Sequence, residues 1–129
     1  MSKLIRVEIG RQKLFAFNGT VNVYEYHCVS GDNEHKTTLG IFKVNRKHRI
    51  YRSKKYNAQM NYAMFFHGGE AIHSSNLVFA MSHLRTLLHR AGAGEHDPWG
   101  SHGCVRLSDD DAKVLFDWTP EGTSVEIKA

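Results

Sequence analysis

The stretch Gly100-Ser101-His102-Gly103-Cys104-Val105-Arg106-Leu107-Ser108 puts a cysteine between a glycine and a capped helix, after a polar loop. A cysteine chosen only to fill a core has no need of such neighbours. Gly103 lets the backbone come close enough for the Cys104 N–H to meet a carbonyl oxygen that gains charge, as an oxyanion hole requires. A nucleophilic thiol also needs a base that takes its proton and later returns it to a leaving amine, and imidazole is the usual choice. The bland alternative is a buried structural thiol.

Downstream, Ser108-Asp109-Asp110-Asp111 sets a capping hydroxyl before three carboxylates that suit the positive end of a helix. That helix is expected over about 109–117, ending before Pro120, with Glu121-Gly122 turning the chain into a last strand, Thr123 to Ile127. Upstream, Leu77, Met81, Leu84 and Leu88 share one helical face, which predicts a helix over about 77–90 capped by Ser75 or Asn76. The N-terminal half reads as strands. Ile5, Val7 and Ile9 alternate with polar residues, and Leu14 to Phe17 leads through the hairpin signal Asn18-Gly19 into Val21 to Val29. Further strands are expected at Thr37 to Val44, His48 to Arg52, Tyr62 to Phe66 and Glu70 to His73, the last two split by Gly68-Gly69. This order predicts a mainly β (α+β) meander rather than a βαβ alternation.

The 129 residues, 41% of them apolar with only two prolines, suit one domain over 1–129 and speak against disorder. No apolar run exceeds five residues (Tyr62 to Phe66, Leu77 to Met81), too short for a membrane-crossing helix. The opening Met1-Ser2-Lys3-Leu4-Ile5-Arg6-Val7-Glu8 lacks the apolar stretch of a secretory signal. Of the seventeen Lys and Arg, seven fall within residues 43–55 (Lys43, Arg46, Lys47, Arg49, Arg52, Lys54, Lys55) with no acidic residue among them. The remainder is then net acidic despite the overall charge of +4. That segment reads either as a contact for an anionic polymer or as a solvated loop.

Beyond Cys104 the chain resembles one family in several ordered pieces. Ser101-His102-Gly103-Cys104-Val105-Arg106-Leu107 is similar to the S-H-G-C-x-R-L signature of L,D-transpeptidase (YkuD-like) catalytic domains. Phe65-Phe66-His67-Gly68-Gly69-Glu70-Ala71-Ile72-His73-Ser74 resembles the strand presenting that family's catalytic histidine, which makes His73 the matching position. Thr37-Thr38-Leu39-Gly40-Ile41-Phe42 resembles its T-P-x-G-x-F strand, and Gly122-Thr123-Ser124-Val125-Glu126-Ile127 its closing G-T-x-V-x-I strand. Two departures stand out. Thr38 replaces the usual proline, read here as altering a turn rather than the chemistry. Thirty residues lie between His73 and Cys104, more than the family's usual interval, and the predicted helix 77–90 with the glycine-rich stretch Ala91 to Gly94 would form a lid or side wall.

The resemblance implies mixed β-sheets with the two helices, and a peptidoglycan activity. A Cys104 thiolate would attack the carbonyl joining the diamino acid at stem position three to the terminal D-alanine of a tetrapeptide, releasing D-alanine and leaving a thioester. An amine then gives a 3-3 crosslink, water gives an L,D-carboxypeptidase, and a D-amino acid gives exchange. His73 would serve as base and then acid, Ser74 would orient it through its backbone carbonyl, and the N–H groups of Gly103 and Cys104 would hold the oxyanion. Ser101 and His102 join this orienting set, His102 by assisting the oxyanion, binding substrate or holding the loop. Arg106 has two readings, a substrate carboxylate or the acidic helix start. Tyr62 and Phe66 either line the cleft or pack in the core.

The implied chemistry needs no metal or cofactor. The implied partners are peptidoglycan stem peptides, with no nucleic acid and no transmembrane segment, and a monomer is expected. The cell envelope is the expected location, reached from a trimmed chain or by another export route, with a cytoplasmic role on precursors as the alternative. Nine histidines invite a metal reading, but no H-E-x-x-H or C-x-x-C occurs, and His83 and His89 point to different helix faces. A papain-like protease places its histidine after its cysteine, the reverse of the order here. A non-catalytic wall-binding module working through residues 43–55 is the non-enzymatic alternative. Cys28, in a predicted strand with Tyr24 and Tyr26 on its face, is assigned to packing, with a redox partnership to Cys104 as the other option.

Overall fold

A computed structural model describes residues 2–31, 35–53, 58–75 and 103–129. The predicted helix 77–90, the stretch Ala91 to Gly94, Ser101, His102, Lys54 and Lys55 lie outside the described residues.

Strands β1 (Lys3–Glu8), β2 (Lys13–Asn18) and β3 (Val21–His27) form the expected antiparallel run. Gly19 closes the second turn at φ 64°, a conformation that costs glycine little. The strand predicted to reach Val29 ends at His27. Val29 instead bridges to Arg106 through two backbone hydrogen bonds of 2.9 and 3.0 Å, which ties the first sheet's connection to the second sheet. The strand predicted from Thr37 begins only at β4 (Gly40–Lys43), because Thr37 and Thr38 spend their polar groups on Gly31 and Glu70. The stretch His48 to Arg52 divides into β5 (Arg46–His48) and a two-residue ribbon, β6 (Arg52–Ser53) with β7 (Ala58–Gln59). After β8 (Ala63–His67), β9 (Glu70–Ser74) and β10 (Val105–Leu107), helix α1 (Asp109–Trp118) leads to β11 (Ser124–Lys128). Ser108 caps α1 as expected, its hydroxyl accepting from the Asp111 N–H.

The meander expectation is corrected at two places. β11 inserts between β1 and β4 and runs parallel to β1, giving the sheet order β3-β2-β1-β11-β4. In the second sheet, ordered β10-β9-β8-β5, β10 runs parallel to β9. Parallel neighbours cannot be joined by a tight turn, so both pairings join segments far apart in the sequence.

Alternation along the strands sends one face of each sheet into a shared core. Ile5, Val7, Leu14, Ala16, Val125 and Ile127 of the first sheet meet Met64, Phe66, Ile72, Val105 and Leu107 of the second, with Ala112, Leu115 and Phe116 of α1 and the fully buried Cys28. Cys28 and Cys104 form no disulfide. The opposite face of the second sheet carries a smaller cluster of Met60, Ala63, Phe65, Ala71 and Cys104, with Tyr51 at its edge. Cys104 thus stands outside the main core, on a rigid sheet backed by it. Among the described residues, no helix is long and apolar enough to cross a membrane.

Candidate active site

The parallel register decides the site. Val105 lies beside Ile72 and Arg106 beside His73. Since side chains of paired residues share a face, Ala71 and His73 of β9 stand on the same side as Cys104 and Arg106. Leu107 N–H and C=O groups are spent nearby on the ladder, and the Leu107 carbonyl accepts from Ser75 N–H at 2.6 Å, fixing the end of β9.

His73 is 7% exposed, and its Nδ1 lies 2.9 Å from the Ser74 carbonyl oxygen. A carbonyl only accepts, so Nδ1 carries the proton and Nε2 is left as the basic nitrogen. Burial pushes the His73 pKa from 6.5 to about 4, against the opposing effect of the Ser74 hydrogen bond and with help from the Arg106 charge. The imidazole is therefore neutral at pH 7.

Cys104 is 5% exposed. Its Sγ donates weakly to the Gly69 carbonyl at 3.7 Å and accepts from the Ala71 N–H. Burial raises its pKa to about 11. The Ala71 hydrogen bond opposes this, Glu70 adds to it, and Arg106 opposes it. The resting form is a neutral thiol, because desolvation outweighs the nearby cation.

Gly103 adopts φ +86°, and a Cβ there would lie 3.0 Å from Glu70 Cγ. Glycine is required both for conformation and for space. A Cβ on Gly31 would come 3.0 Å from the Gly103 Cα and would collide with the His35 carbonyl. The Gly103–Cys104 turn therefore packs closely on both Gly31 and the first residue of β9.

The Arg106 charge acts on both His73 and Cys104, so Arg106 belongs to the thiol face. Tyr62 and Phe66 do not. Phe66 points into the main core against Phe42, with ring centroids 5.7 Å apart, and Tyr62 packs edge-on to Phe116 at 5.7 Å. The basic segment also divides. Lys47 donates to the Phe116 and Thr119 carbonyls, each at 2.6 Å, and Arg49 pairs with Asp117 at 3.3 Å, so both serve the C-terminal end of α1. Arg46 faces the other way, its guanidinium 3.7 Å from the Phe65 ring centroid. Among the described residues, no three His, Cys, Asp or Glu side chains converge as metal ligands would.

Sequence reasoning missed Glu70, Thr38 and Gly31 as parts of this surround. Strand alternation assigns Glu70 to the face of Ile72. The β8–β9 register shifts between Phe65 and His67, beside Glu70, and the Glu70 side chain lies against Gly103.

Comparison with known proteins agrees with this architecture. The family model described as the L,D-transpeptidase catalytic domain matches residues 2–127. No curated protein sequence matches the chain. Among solved structures, an L,D-transpeptidase from Stackebrandtia nassauensis is similar at TM-score 0.81 and 25% identity, covering 100% of this chain and 56% of its own. An L,D-transpeptidase from Mycobacterium smegmatis is similar at 0.80 and 19%, covering 99% and 59%. One from Xylanimonas cellulosilytica is similar at 0.75 and 25%, covering 98% and 60%. The chain thus spans under two thirds of each of these proteins.

Proposed function

Since the chain belongs to the L,D-transpeptidase catalytic domain family, we propose that it is a cysteine-dependent peptidoglycan L,D-transpeptidase with Cys104 as nucleophile and His73 as its base. The observation that carries this reading is the parallel β9–β10 register, which brings a neutral imidazole and a neutral thiol onto one face of a rigid sheet.

In this mechanism the Cys104 sulfur attacks the carbonyl between the stem diamino acid and the terminal D-alanine while its proton passes to His73 Nε2. Two neutral groups need no stabilised ion pair before substrate arrives. The charge that develops falls on the carbonyl oxygen, which the N–H groups of Gly103 and Cys104 receive. The Ser74 carbonyl, bonded to Nδ1–H, steadies the imidazolium that forms. His73 then returns the proton to the departing D-alanine nitrogen, leaving the thioester. In the second half the order reverses: an incoming amine gives up a proton to His73, the C–S bond breaks, and the thiol is restored with a 3-3 crosslink formed. Water in place of the amine makes the same site an L,D-carboxypeptidase, and a D-amino acid makes it an exchange enzyme. Arg106 lies beside both reacting groups, and its cation favours the thiolate and disfavours the imidazolium. The substrate class places this work in the cell envelope.

The test is mass spectrometry of reduced protein with disaccharide-tetrapeptide, with and without a diamino acceptor, beside Cys104→Ala. D-alanine release, an acyl adduct on Cys104 and a crosslinked dimer are expected, all abolished in the variant. Tripeptide alone selects the carboxypeptidase branch. Intact substrate with no adduct, from folded protein with a titratable Cys104, would overturn the reading.

A further inference from the structure

Glu70 opens β9 and is one of the two carboxylates or cations whose charge bears on the thiol, the other being Arg106. Its two oxygens are both engaged by one residue: Oε1 accepts from the Thr38 N–H at 2.8 Å and Oε2 from the Thr38 hydroxyl at 2.6 Å. The stem of the same side chain lies against Gly103, at contact distance from where a Cβ would stand. Proline at position 38 would supply neither donor; the backbone bond needs a residue other than proline there, and the second bond needs a hydroxyl such as that of Thr38.

The arrangement is unusual for a carboxylate. Left to itself near a carbonyl that becomes an oxyanion, a negative charge opposes the reaction. Two donors from Thr38 hold both carboxylate oxygens in place, and the side chain lies along Gly103 from its Cγ to its Oε1, 3.0 to 3.5 Å from where a Cβ would stand. Gly31 also packs close to Gly103. The Gly103–Cys104 peptide thus has two close neighbours, one of them held by the Thr38–Glu70 clasp.

We propose that Glu70 is a positioning residue for this site: clasped by Thr38 and packed on Gly103, it holds the Gly103–Cys104 turn in the conformation that acyl transfer uses. The inference rests on Cys104 being the nucleophile. It gives Thr38 a part in holding the site, in addition to the altered turn expected from the sequence. Among the described residues, the charged and titratable groups that face Cys104 are Glu70 and His73 of β9 and Arg106 of β10, with Arg46 and His48 of β5 and Tyr51 farther along the same face.

The experiment compares wild type with Glu70→Gln, Glu70→Ala and Thr38→Val, each first checked for folding by thermal melting. Two quantities are read: kcat and KM for release of D-alanine from disaccharide-tetrapeptide, and the pH profile of Cys104 alkylation by iodoacetamide. Glu70→Ala, which removes the contact on Gly103, lowers kcat at least tenfold with KM within twofold. Glu70→Gln keeps the shape and a hydrogen-bonded contact to Thr38, so its kcat stays within threefold, while loss of the charge moves the alkylation midpoint downward by about half a pH unit. Thr38→Val, which keeps only the N–H donor, falls between. An unchanged kcat in folded Glu70→Ala overturns the proposal. So does a rise in KM with kcat intact, since that marks a substrate contact. If wild type alkylates but releases no D-alanine, the transpeptidase reading fails separately, and the alkylation midpoint decides: a downward shift in Glu70→Gln supports coupling of Glu70 to the turn, and an unmoved midpoint refutes it.

Discussion

The neutral resting thiol leads to a quantitative expectation for its reactivity. Raising the Cys104 pKa from 9.0 to about 11 lowers the thiolate fraction at pH 7 by about a hundredfold. Each remaining thiolate is more basic and so more nucleophilic, by roughly six- to tenfold for a Brønsted slope of about 0.4–0.5. The net effect is alkylation about tenfold slower at pH 7 than for an unperturbed thiol of equal access. Burial of the sulfur slows the reaction at every pH without moving its midpoint, so the midpoint is the quantity to measure. The assay is iodoacetamide labelling in short pH jumps between 5 and 11.5, with the Cys104 peptide quantified by mass spectrometry so that Cys28 need not be changed. The rate should climb about tenfold per pH unit past 9 before levelling near 11. His73→Ala should leave that profile nearly in place, because a neutral imidazole lends the thiolate little. A plateau below pH 8, or a midpoint that rises sharply in His73→Ala, would show a standing thiolate–imidazolium pair and would refute the reasoning.

Three further outcomes are expected. Because the folded His73 pKa lies below its unfolded value, the unfolded chain takes up the proton first, and stability present above pH 6.5 is lost as pH falls through about 4. The loss amounts to roughly 3 kcal/mol; urea unfolding at pH 7, 5.5 and 4 should show it, and His73→Gln should flatten the slope, an unaltered slope counting against the buried neutral imidazole. Lys47→Met removes two charge-assisted hydrogen bonds at the end of α1 and should cost about 2 kcal/mol, lowering the melting temperature by several degrees; a change under one degree would mean that solvent replaces the ammonium at no cost. Ser108→Ala removes the α1 cap and should cost about 1 kcal/mol in chemical denaturation with an unchanged m value.

The Asn18-Gly19 hairpin, the Ser108 cap and the β8–β9 pair around Gly68-Gly69 were legible because each depends on a few neighbouring residues whose backbone preferences agree. The shortened strands at Thr37 and His48 were not, because what ended them is hydrogen bonding to residues far away in sequence: Glu70 for Thr38, and Tyr62 and Met60 for the carbonyls of Arg49 and Tyr51. Cys104 stood out through its immediate neighbours and His73 only through the resemblance of residues 65–74 to a family strand, whereas the assignment of Phe66 to the core face required knowing which side of its sheet is packed.

Local chemistry, carried in the order of residues, therefore determined the kinds of most described elements, the cap and the hairpin, and singled out Cys104 as a candidate nucleophile. Only the tertiary structure decided that β10 lies parallel to β9 with Arg106 beside His73, that Lys47 and Arg49 engage the end of α1, and that Glu70 lies against Gly103. The physical reason is that strand pairing, burial and the pKa values that follow from them depend on which distant segments share a surface, and alternation along one strand says only that its side chains have two sides.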